Sequence, residues 1–598
     1  MKRFFKFTAL LLCLGLLWAL SACGGGTTQT DAPTQAPDTA GATRITLEGD
    51  TAAVSGSGAT VDGGVVTITQ AGTYLLSGTL TEGRVLVNAP KETVELVLAG
   101  AEITCSYGSP LYIYKAGAVT LSLEEGTESI LTDGAEYTFA DSCSSAADEE
   151  PNACLYSKAD LTISGSGSLT VNANYKNGVT GKDTLTISDA SLTVTAKNHG
   201  INGKDSLTVQ NAALTVTSGG DALRSTNDSD ESLGWILLEN AELQLNAGED
   251  GVQAETTLTV NGGTYTLCTG GGSGGTADAD TSAKGLKAGT QLTLNGGTFS
   301  LDCLDDAIHS NGSVTITGGN YRLATGDDGV HADEAAVVSG GAITITSCYE
   351  GLEGQTVEIS GGEIEITASD DGINAAGGSD QSGFGGPFGA DSFGGSQSCA
   401  ITISGGKITV DARGDGLDSN GDLTITGGEV YISGPTGDGD GALDYDGNGT
   451  ITGGTVVAAG SAGMAQNFGS SSTQGSLLVT FNEAVTGEVT LTDADGNVLL
   501  RFTPGKAYRS VVLSCSGLTV GQTYTVTAGG QSQSIPLTSL LYGGGAMGGP
   551  GGQGGFPGGG STPPDGQPGG NGNTPPDGQP GGSGNTPPEK PGGQGSAA

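Results

Sequence analysis

The stretch that decides the fold runs from Val314 to Ala336 and reads VTITGGNYRLATGDDGVHADEAA. Three segments in it alternate apolar with polar residues, which is the period of a β-strand. The pair Gly318-Gly319 and the run Gly326–Gly329 separate these segments as turns. Three strands and three turns in about 22 residues are typical of one coil of a β-solenoid, which buries its apolar face only when coils stack.

The same pattern returns along the chain at a nearly constant spacing. Successive copies of the first strand begin at Leu161, Leu185, Leu207, Ile236, Leu258, Leu292, Val314, Val337, Val357, Ile401 and Leu423. Most steps are about 22 residues, whereas a propeller blade needs about 40–45 and a calcium-binding nonapeptide roll far fewer. The spacing therefore predicts an all-β fold, a right-handed parallel β-helix of roughly 22-residue coils, with an N-terminal cap and a small C-terminal β domain.

Composition and targeting signals divide the chain into five predicted segments. They are a lipoprotein signal peptide at 1–22, a flexible tether at 23–43, a parallel β-helix at 44–474 with its cap and first coils at 44–140, a small antiparallel β domain or cap at 475–540, and a disordered Gly/Pro-rich tail at 541–598. The tail is rich in Gly, Pro, Asn and Asp, so we expect that it cannot bury a core.

The first segment has the pattern of a bacterial lipoprotein signal. Lys2 and Arg3 precede a short apolar run at 10–20, and Leu20-Ser21-Ala22 leads directly into Cys23. We expect cleavage before Cys23 and a lipid on its sulfur, which would anchor the protein stably to the extracellular face of the cell membrane. An ordinary secretory signal with a chance cysteine is the alternative. No other segment is apolar and long enough to be predicted as a membrane span.

The charge of the chain narrows its partners. Asp and Glu number 65 against 22 Lys and Arg, which gives a formal net charge of −43. Nucleic acid is excluded as a partner, because its phosphates would be repelled. Divalent cations and neutral or cation-bridged polysaccharides remain. An exported chain permits disulfides, and Cys143 and Cys154 are the predicted pair because they bracket one acidic loop.

Acidic residues recur at the turn before the third strand of each coil. The predicted metal ligands are Asp250, Asp305, Asp306, Asp327, Asp328, Glu350, Asp370, Asp371 and Asp415. Stacking would bring these carboxylates within about 4.8 Å of one another, where unit charges repel by about 1 kcal/mol in water and by several at an effective dielectric near 20. Calcium favours such oxygen-rich clusters, and two Asp pairs on adjacent coils, at 305–306 and 327–328, are the leading set. A solvated acidic edge is the alternative.

Outward-facing residues next to this acidic file are candidate carbohydrate contacts. They are Lys287, His309 and His331 on the third strand and Arg322 on the second. An exposed polar ladder without ligand is the alternative. A further file on the second strand is predicted to be core and not a sugar platform, since its members alternate with polar residues. It consists of Tyr265, Phe299, Tyr321 and Tyr431.

Several motifs resemble one protein family. GTYLLSGTL at 72–80, VELVLAGAEIT at 94–104 and LEEGTESILTD at 123–133 look like the opening of bacterial carbohydrate-binding proteins of cellulolytic and gut Firmicutes, and NGVTGKD at 177–183 and DDGVH at 327–331 fit their later coils. The resemblance covers roughly residues 45–460. It implies a polysaccharide-lyase-like right-handed β-helix with bound calcium. It also implies binding, without cleavage, of cellulose and of acidic polysaccharides such as pectin.

Two other functions remain open at the level of sequence. A calcium-dependent polysaccharide lyase would need a basic residue beside the metal to take the proton next to the uronate carboxylate. Lys284 and Lys287 are the predicted bases in that case, because they adjoin both the acidic file and a long insert. A surface adhesin or purely structural rod is the third possibility.

Overall fold

The computed structural model describes residues 39–276, 282–376 and 399–544. All the regular elements in these ranges are β-strands, so the all-β prediction is confirmed. The predicted signal peptide, Cys23, most of the tether and nearly all of the tail lie outside the described residues. In the part of the chain that is described, the search for a helix long and apolar enough to cross a membrane finds none.

Each repeat contributes a strand, or part of a longer strand, to each of three ladders, in which strands of successive repeats pair in parallel. The first ladder contains Gly72–Leu80, Thr93–Cys105, Ala118–Leu123, Asp160–Ser164, Thr184–Ser188, Ser206–Gln210, Trp235–Glu239, Thr257–Thr269, Gln291–Cys303, Ser313–Ile316, Val330–Val338, Leu352–Ile359, Ala400–Ile403, Asp422–Ile425 and Gly449–Ile451. The second ladder adds Glu128–Asp133, Ser168–Ala173, Ser191–Ala196, Ala213–Ser218, Glu242–Ala247, Asn320–Thr325, Ala342–Cys348, Glu363–Ala368, Lys407–Ala412, Glu429–Ser433 and Thr455–Gly460.

The third ladder carries the shortest strands and positions the candidate site. It contains Val65–Ile68, Arg84–Asn88, Leu111–Lys115, Ala153–Ser157, Asn177–Gly181, Ile201–Gly203, Leu223–Arg224, Val252–Ala254, Leu286–Ala288, Ile308–Ser310, Ile373–Ala375, Leu417–Ser419 and Leu443–Tyr445, together with the first residues of the strands at 330–338 and 352–359.

Stacked apolar residues form the core between the ladders. Val314 is fully buried and lies in register between Leu292 of the preceding repeat and Ala336 of the following one. Burying one such aliphatic side chain contributes about 1.5–3 kcal/mol, and every repeat supplies several. The corner at Gly319 has a φ of 107°, and a Cβ there would lie 2.8 Å from the Tyr321 hydroxyl, so this turn requires glycine.

The predicted fold class, a right-handed parallel β-helix of roughly 22-residue coils with an N-terminal cap and a small C-terminal β domain, is wrong. Strands such as Thr257–Thr269 and Gln291–Cys303 run on through the first and second ladders, and Val330–Val338 runs through the third and first. The ladders therefore merge into one 45-stranded sheet instead of forming separate coils of short strands. This sheet is mainly parallel and also includes antiparallel strands at both ends, such as Thr43–Gly49 with Ala52–Ser55.

The remaining strands lie at the two ends of the described chain. Ala59–Asp62 pairs antiparallel near the N-terminus, while Ser476–Val485, Tyr508–Ser514 and Leu541–Tyr542 extend the large sheet near the C-terminus. A separate four-stranded antiparallel sheet consists of Val489–Thr492, Val498–Phe502, Thr523–Ala528 and Gln531–Pro536. Its inner residues, including Leu491 and Tyr524, belong to an apolar cluster distinct from the main core.

The structure also bears on the predicted disulfide and on the predicted file of aromatic core residues. Cys143 and Cys154 are both free, so the predicted disulfide is wrong. The buried rings of Tyr265, Phe299 and Tyr321 stack on successive repeats with centroids 4.6 Å apart at each step, which confirms them as core. The fourth predicted member of that file is wrong: Tyr431 faces the other way, against Phe502, because the adjacent Val430 takes the inward position.

Candidate functional site

In the third ladder between Asn177–Gly181 and Leu417–Ser419, the residues two positions before the buried aliphatic residue of each strand form a continuous stack, called here the inner file. Its members are Asn177, His199, Asp221, Asp250, Lys284, Asp306, Asp328, Glu350, Asp371 and Asp415. One Oδ of Asp306 accepts a hydrogen bond from the backbone N–H of Asp328 at 3.0 Å, and Asp328 accepts one from Glu350 at 3.0 Å. The carboxylates thus hold successive repeats together, and their second oxygens remain for other partners.

The residues three positions further on form a parallel outer file. They are Thr180, Asn202, Arg224, Gln253, Lys287, His309, His331, Glu353, Asn374, Asp418 and Asp444. The two files together make up what we call the polar face. Arg224 and Lys287 lie in its N-terminal half, whereas Glu353, Asp418 and Asp444 lie in its C-terminal half. The outer file therefore changes from basic to acidic along the stack, whereas the inner file also carries carboxylates in its N-terminal half, such as Asp221 and Asp250.

The leading predicted calcium set already contains a cation of the protein. Asp305, Asp306 and Asp327 offer oxygens within 4.8 Å of one another. The buried ammonium of Lys284 lies 2.8 Å from Asp305 Oδ1 and 2.6 Å from Asp306 Oδ2. Burial alone would raise the pKa of Asp306, but Lys284, followed by His309, holds that pKa well below its usual range.

The two histidines of the outer file lie against carboxylates of the polar face. Their rings stack with centroids 5.0 Å apart, and both are buried, with exposures of 2% for His309 and 1% for His331. His309 Nδ1 lies 2.8 Å from Asp306 Oδ2, and His331 Nδ1 lies 2.5 Å from Glu353 Oε2. Burial opposes protonation of His331, yet hydrogen bonds, first to Asp328, raise its pKa well above the usual range. His331 thus acts as a counter-charge within the structure, and His309 holds a hydrogen-bond contact with Asp306.

A separate carboxylate cluster, called here the acidic triad, consists of Asp371, Asp415 and Asp418. The three side chains offer oxygens within 4.8 Å of one another, and Asp371 Oδ1 accepts the Asp415 N–H at 2.5 Å. Burial and then the charge of Asp371 raise the pKa of Asp415 to about 9. Burial, followed by Asp418 and Asp370, raises the pKa of Asp371 well above its usual value.

Calcium fits the chemistry of the acidic triad. The principal charged groups that shift the pKa values of Asp371 and Asp415 are all carboxylates. Within the described ranges, no Lys, Arg or His forms an ion pair with either residue. Hard, oxygen-only clusters of this kind are what calcium uses. The sequence pattern predicted Asp371 and Asp415 as ligands but not Asp418, although its spacing of three from Asp415 matches that of His309 from Asp306.

The other predicted site residues have separate surroundings. Asp250 Oδ2 lies 3.3 Å from Lys287 Nζ, and Glu350 Oε2 accepts a hydrogen bond from Asn374 at 2.9 Å. Burial and then Glu353 raise the pKa of Glu350 well above its usual value. Asp370 is half-buried beside the acidic triad. Arg322 is exposed on the second ladder, so the structure does not bring it to the polar face with Lys287 and the histidines.

Comparison with known proteins gives three matches. A family model described as carbohydrate-binding domain-containing protein matches residues 62–329 and 328–444. A carbohydrate-binding domain-containing protein of Acetivibrio thermocellus is 40% identical over 207 residues, which are 34% of this chain and 71% of that relative. A solved gadolinium derivative of the polysaccharide lyase-like protein from C. thermocellum is 27% identical, covers 46% of this chain and 96% of that chain, and has a TM-score of 0.38. The residues that match the family model include the inner file and the outer file up to Asp444.

Proposed function

The chain belongs to the family of carbohydrate-binding domain-containing proteins, and from this premise we propose that it binds cellulose or an acidic polysaccharide such as pectin along the polar face, with calcium held at the acidic triad. The resemblance of its sequence motifs to that family is confirmed. The choice of polymer, the calcium and the location at the cell surface are parts of the proposal.

The acidic triad is the observation that carries this proposal. Three carboxylates gather there, and two of them have pKa values far above the ordinary range because of burial and mutual repulsion. A divalent cation would restore their ionised form by removing that repulsion. Calcium takes six to eight oxygen ligands, so an ion held by three side chains retains positions for sugar hydroxyls or carboxylates. Asp371, Asp415 and Asp418 are the residues that would hold it.

We propose binding without cleavage, on the grounds of how the two candidate bases are held. A general base must come within hydrogen-bond reach of the proton that it removes. The side chain of Lys284 is only 2% exposed and is bound to Asp305 and Asp306. Lys287 Nζ is bound to Ser282 and Asp250. Both ammonium groups are thus occupied by the protein itself, which does not favour a lyase.

Location at the cell surface is proposed from the signal alone. A lipid on Cys23 would hold the protein at the outer face of the membrane, where polysaccharide is accessible. The parent chain should therefore incorporate a labelled fatty acid, and a Cys23→Ala variant should not. Absence of the label from the parent chain, or its presence in the variant, would contradict the lipid anchor.

The proposal is tested by retention of the mature chain on insoluble cellulose, pectin gel and xylan, with calcium or with EDTA. Calorimetric titration with calcium should show a site that the double variant Asp371→Asn, Asp415→Asn lacks, together with at least tenfold weaker retention on the bound polymer. The matched control replaces two exposed carboxylates, Asp50→Asn and Asp228→Asn, and should behave as the parent. Equal retention with calcium and EDTA would contradict the role of the metal, and no retention on any polymer would favour a structural rod.

A further inference from the structure

A groove lies at the basic end of the polar face, where the third-ladder strands Asn177–Gly181, Ile201–Gly203 and Leu223–Arg224 are adjacent. Its volume is about 230 Å³, and its walls include Asn177, Thr180, Lys182, Asn202, Lys204 and Arg224. Pockets for drug-sized ligands are about 300–1,000 Å³, so this groove is suited to one sugar residue of a polymer. All of its lining residues are polar or basic, which is unusual in a chain of net charge −43.

Three buried polar atoms in this groove lack hydrogen-bond partners. They are Thr180 Oγ1, Asn202 Oδ1 and Arg224 Nε, which occupy consecutive positions of the outer file. Thr180 is 2% exposed and Asn202 is 8% exposed. Buried polar groups in folded proteins nearly always have partners, and each exception calls for an explanation. Three exceptions side by side in one groove indicate a bound molecule that supplies the missing partners.

The charges of the groove identify the ligand as an anion. Lys182 Nζ is bound to Glu150 at 2.7 Å, and Arg224 Nη1 lies 3.2 Å from Asp221 Oδ2. Lys204 is half-buried, and among the residues that the structure describes no carboxylate lies within 4 Å of its Nζ. The ammonium of Lys204 has Asp183 as a charged neighbour but no carboxylate in contact, so it can still pair with a ligand. Such an ammonium beside the unpaired N–H of Arg224 is a typical binding site for a carboxylate, sulfate or phosphate.

The side chains of Asn202 and Thr180 indicate which class of anion the groove binds. The unpaired Oδ1 of Asn202 accepts hydrogen bonds and cannot donate one, so its partner must carry a donor. Inorganic sulfate offers only acceptors, whereas a sugar acid offers hydroxyl donors close to its carboxylate. Thr180 can donate to or accept from such a hydroxyl. The combination of a cation, a donor and an acceptor in one groove therefore matches a uronate residue.

We infer that this groove is a second binding site, which takes the carboxylate and hydroxyls of a uronate residue directly, without a metal ion. This inference rests on the proposed function, because it requires a polysaccharide on the polar face. It adds the class of sugar, a uronate, and a second site that binds it. The repeats that carry Arg224 and Asp371 are six steps apart along the stack. At about 4.8 Å per repeat, the two residues are separated by about 29 Å. The groove and the acidic triad are therefore separate sites.

The test is calorimetric titration of the mature chain with trigalacturonate in EDTA, with cellotriose and sodium sulfate as comparison ligands. Trigalacturonate should bind, and cellotriose and sulfate should bind at least tenfold more weakly. Lys204→Gln should weaken trigalacturonate binding roughly 10- to 100-fold, which is the usual effect of losing a hydrogen bond to a charged group. The matched control Lys197→Gln removes an exposed lysine outside the groove and should leave affinity unchanged.

The variant Thr180→Val distinguishes a role of Thr180 in ligand binding from a role in stability alone. This change removes a buried hydroxyl that has no partner, so the melting temperature should stay constant or rise while the affinity for trigalacturonate falls at least threefold. Unchanged affinity in Thr180→Val, equal effects of Lys204→Gln and Lys197→Gln, or equal binding of sulfate would each overturn the uronate site.

The outcomes also distinguish this inference from the proposed calcium site. If EDTA abolishes all binding of trigalacturonate, the groove is refuted and the calcium proposal stands. If EDTA has no effect while Thr180→Val weakens binding, the groove is supported, and the role of calcium is decided by the polymer retention with calcium or EDTA.

Discussion

Replacement of Lys284 by methionine tests whether a side-chain ammonium takes the place of a metal ion in the inner file. The ammonium lies within 2.8 Å of carboxylate oxygens from both Asp305 and Asp306, and all three side chains are at least 95% buried. Removing one partner of a buried ion pair costs about 3–5 kcal/mol, because the remaining charge is left uncompensated. Lys284→Met should therefore destabilise this part of the stack by about that amount.

The assay is native-state hydrogen exchange of backbone amides that hydrogen-bond to Asp306. The Asp328 N–H donates to Asp306 Oδ1 and the Gly285 N–H donates to the Asp306 carbonyl. A loss of about 3–5 kcal/mol corresponds to exchange roughly 150- to 5,000-fold faster at these amides. Calcium should restore much of the protection in Lys284→Met, since binding at 100 times its dissociation constant contributes about 2.7 kcal/mol.

The control for this experiment is an exposed ion pair. Lys407 Nζ lies 2.7 Å from Glu363 Oε1, and the two side chains are 50% and 57% exposed. Such surface pairs contribute about 0–1 kcal/mol, so Lys407→Met should change exchange rates less than about tenfold. Unchanged protection in Lys284→Met, or a loss that calcium does not reverse, would refute the idea that this ammonium substitutes for a metal.

Because the pKa of Asp415 rises from 3.8 to about 9 on folding, its contribution to stability is complete below about pH 4 and is lost as the pH rises towards 9; urea unfolding in EDTA should show this decline, and Asp415→Asn should flatten it. Phe299→Ala should cost about 3–5 kcal/mol, measured from the same unfolding curves, because it leaves a cavity between two stacked rings. Since Cys143 and Cys154 are free, a reductant should leave the melting temperature unchanged, whereas a drop of several degrees would indicate a disulfide.

The period of the sequence predicted which residues stack, because a constant repeat length fixes the register of strands that are far apart in the chain. His309 and His331 lie in register, and the N–H of Asp328 reaches the carboxylate of Asp306, as the alignment of repeats predicts. Apolar alternation also identified the core ring of Phe299. These successes depend only on local spacing and on the two-residue period of strands.

Gly-Gly pairs in the sequence did not predict which strands end at the pair and which continue through it. Gly262 and Gly263 have φ values of 79° and 101°, yet they lie inside the strand Thr257–Thr269, whereas Gly318 and Gly319 separate two strands. Similar Gly-Gly pairs thus end a strand in one repeat and bend it in another. The difference depends on pairing with the neighbouring repeats, which a local motif does not contain.

The pairing of inner-file carboxylates with basic side chains was also not predictable from the sequence. Lys284 follows an insert, so it lies 34 residues after Asp250 instead of about 22, and a fixed spacing does not place it in the file. The structure shows the alignment because the Lys284 N–H donates to Asp250 Oδ1 at 2.8 Å. Burial of the histidines likewise depends on neighbours from several repeats.

The distribution of cations along the polar face leads to a prediction about calcium stoichiometry. Four carboxylate-containing clusters could hold a metal by geometry, but three of them include or contact a basic side chain of the protein: Arg224 at the first, Lys284 at the second and His331 at the third. In the acidic triad, neither Asp371 nor Asp415 has an ion pair with a basic residue of the described ranges.

A cation that is already bound competes with a metal for the same oxygens, so only the acidic triad should bind calcium tightly at neutral pH. Calorimetric titration should give one tight site in the parent chain, two in Lys284→Met, and none in the double variant Asp371→Asn, Asp415→Asn. Four equivalent ions in the parent chain would show that the basic side chains do not neutralise the inner file, and the reasoning that assigns calcium to one end of the polar face would fail.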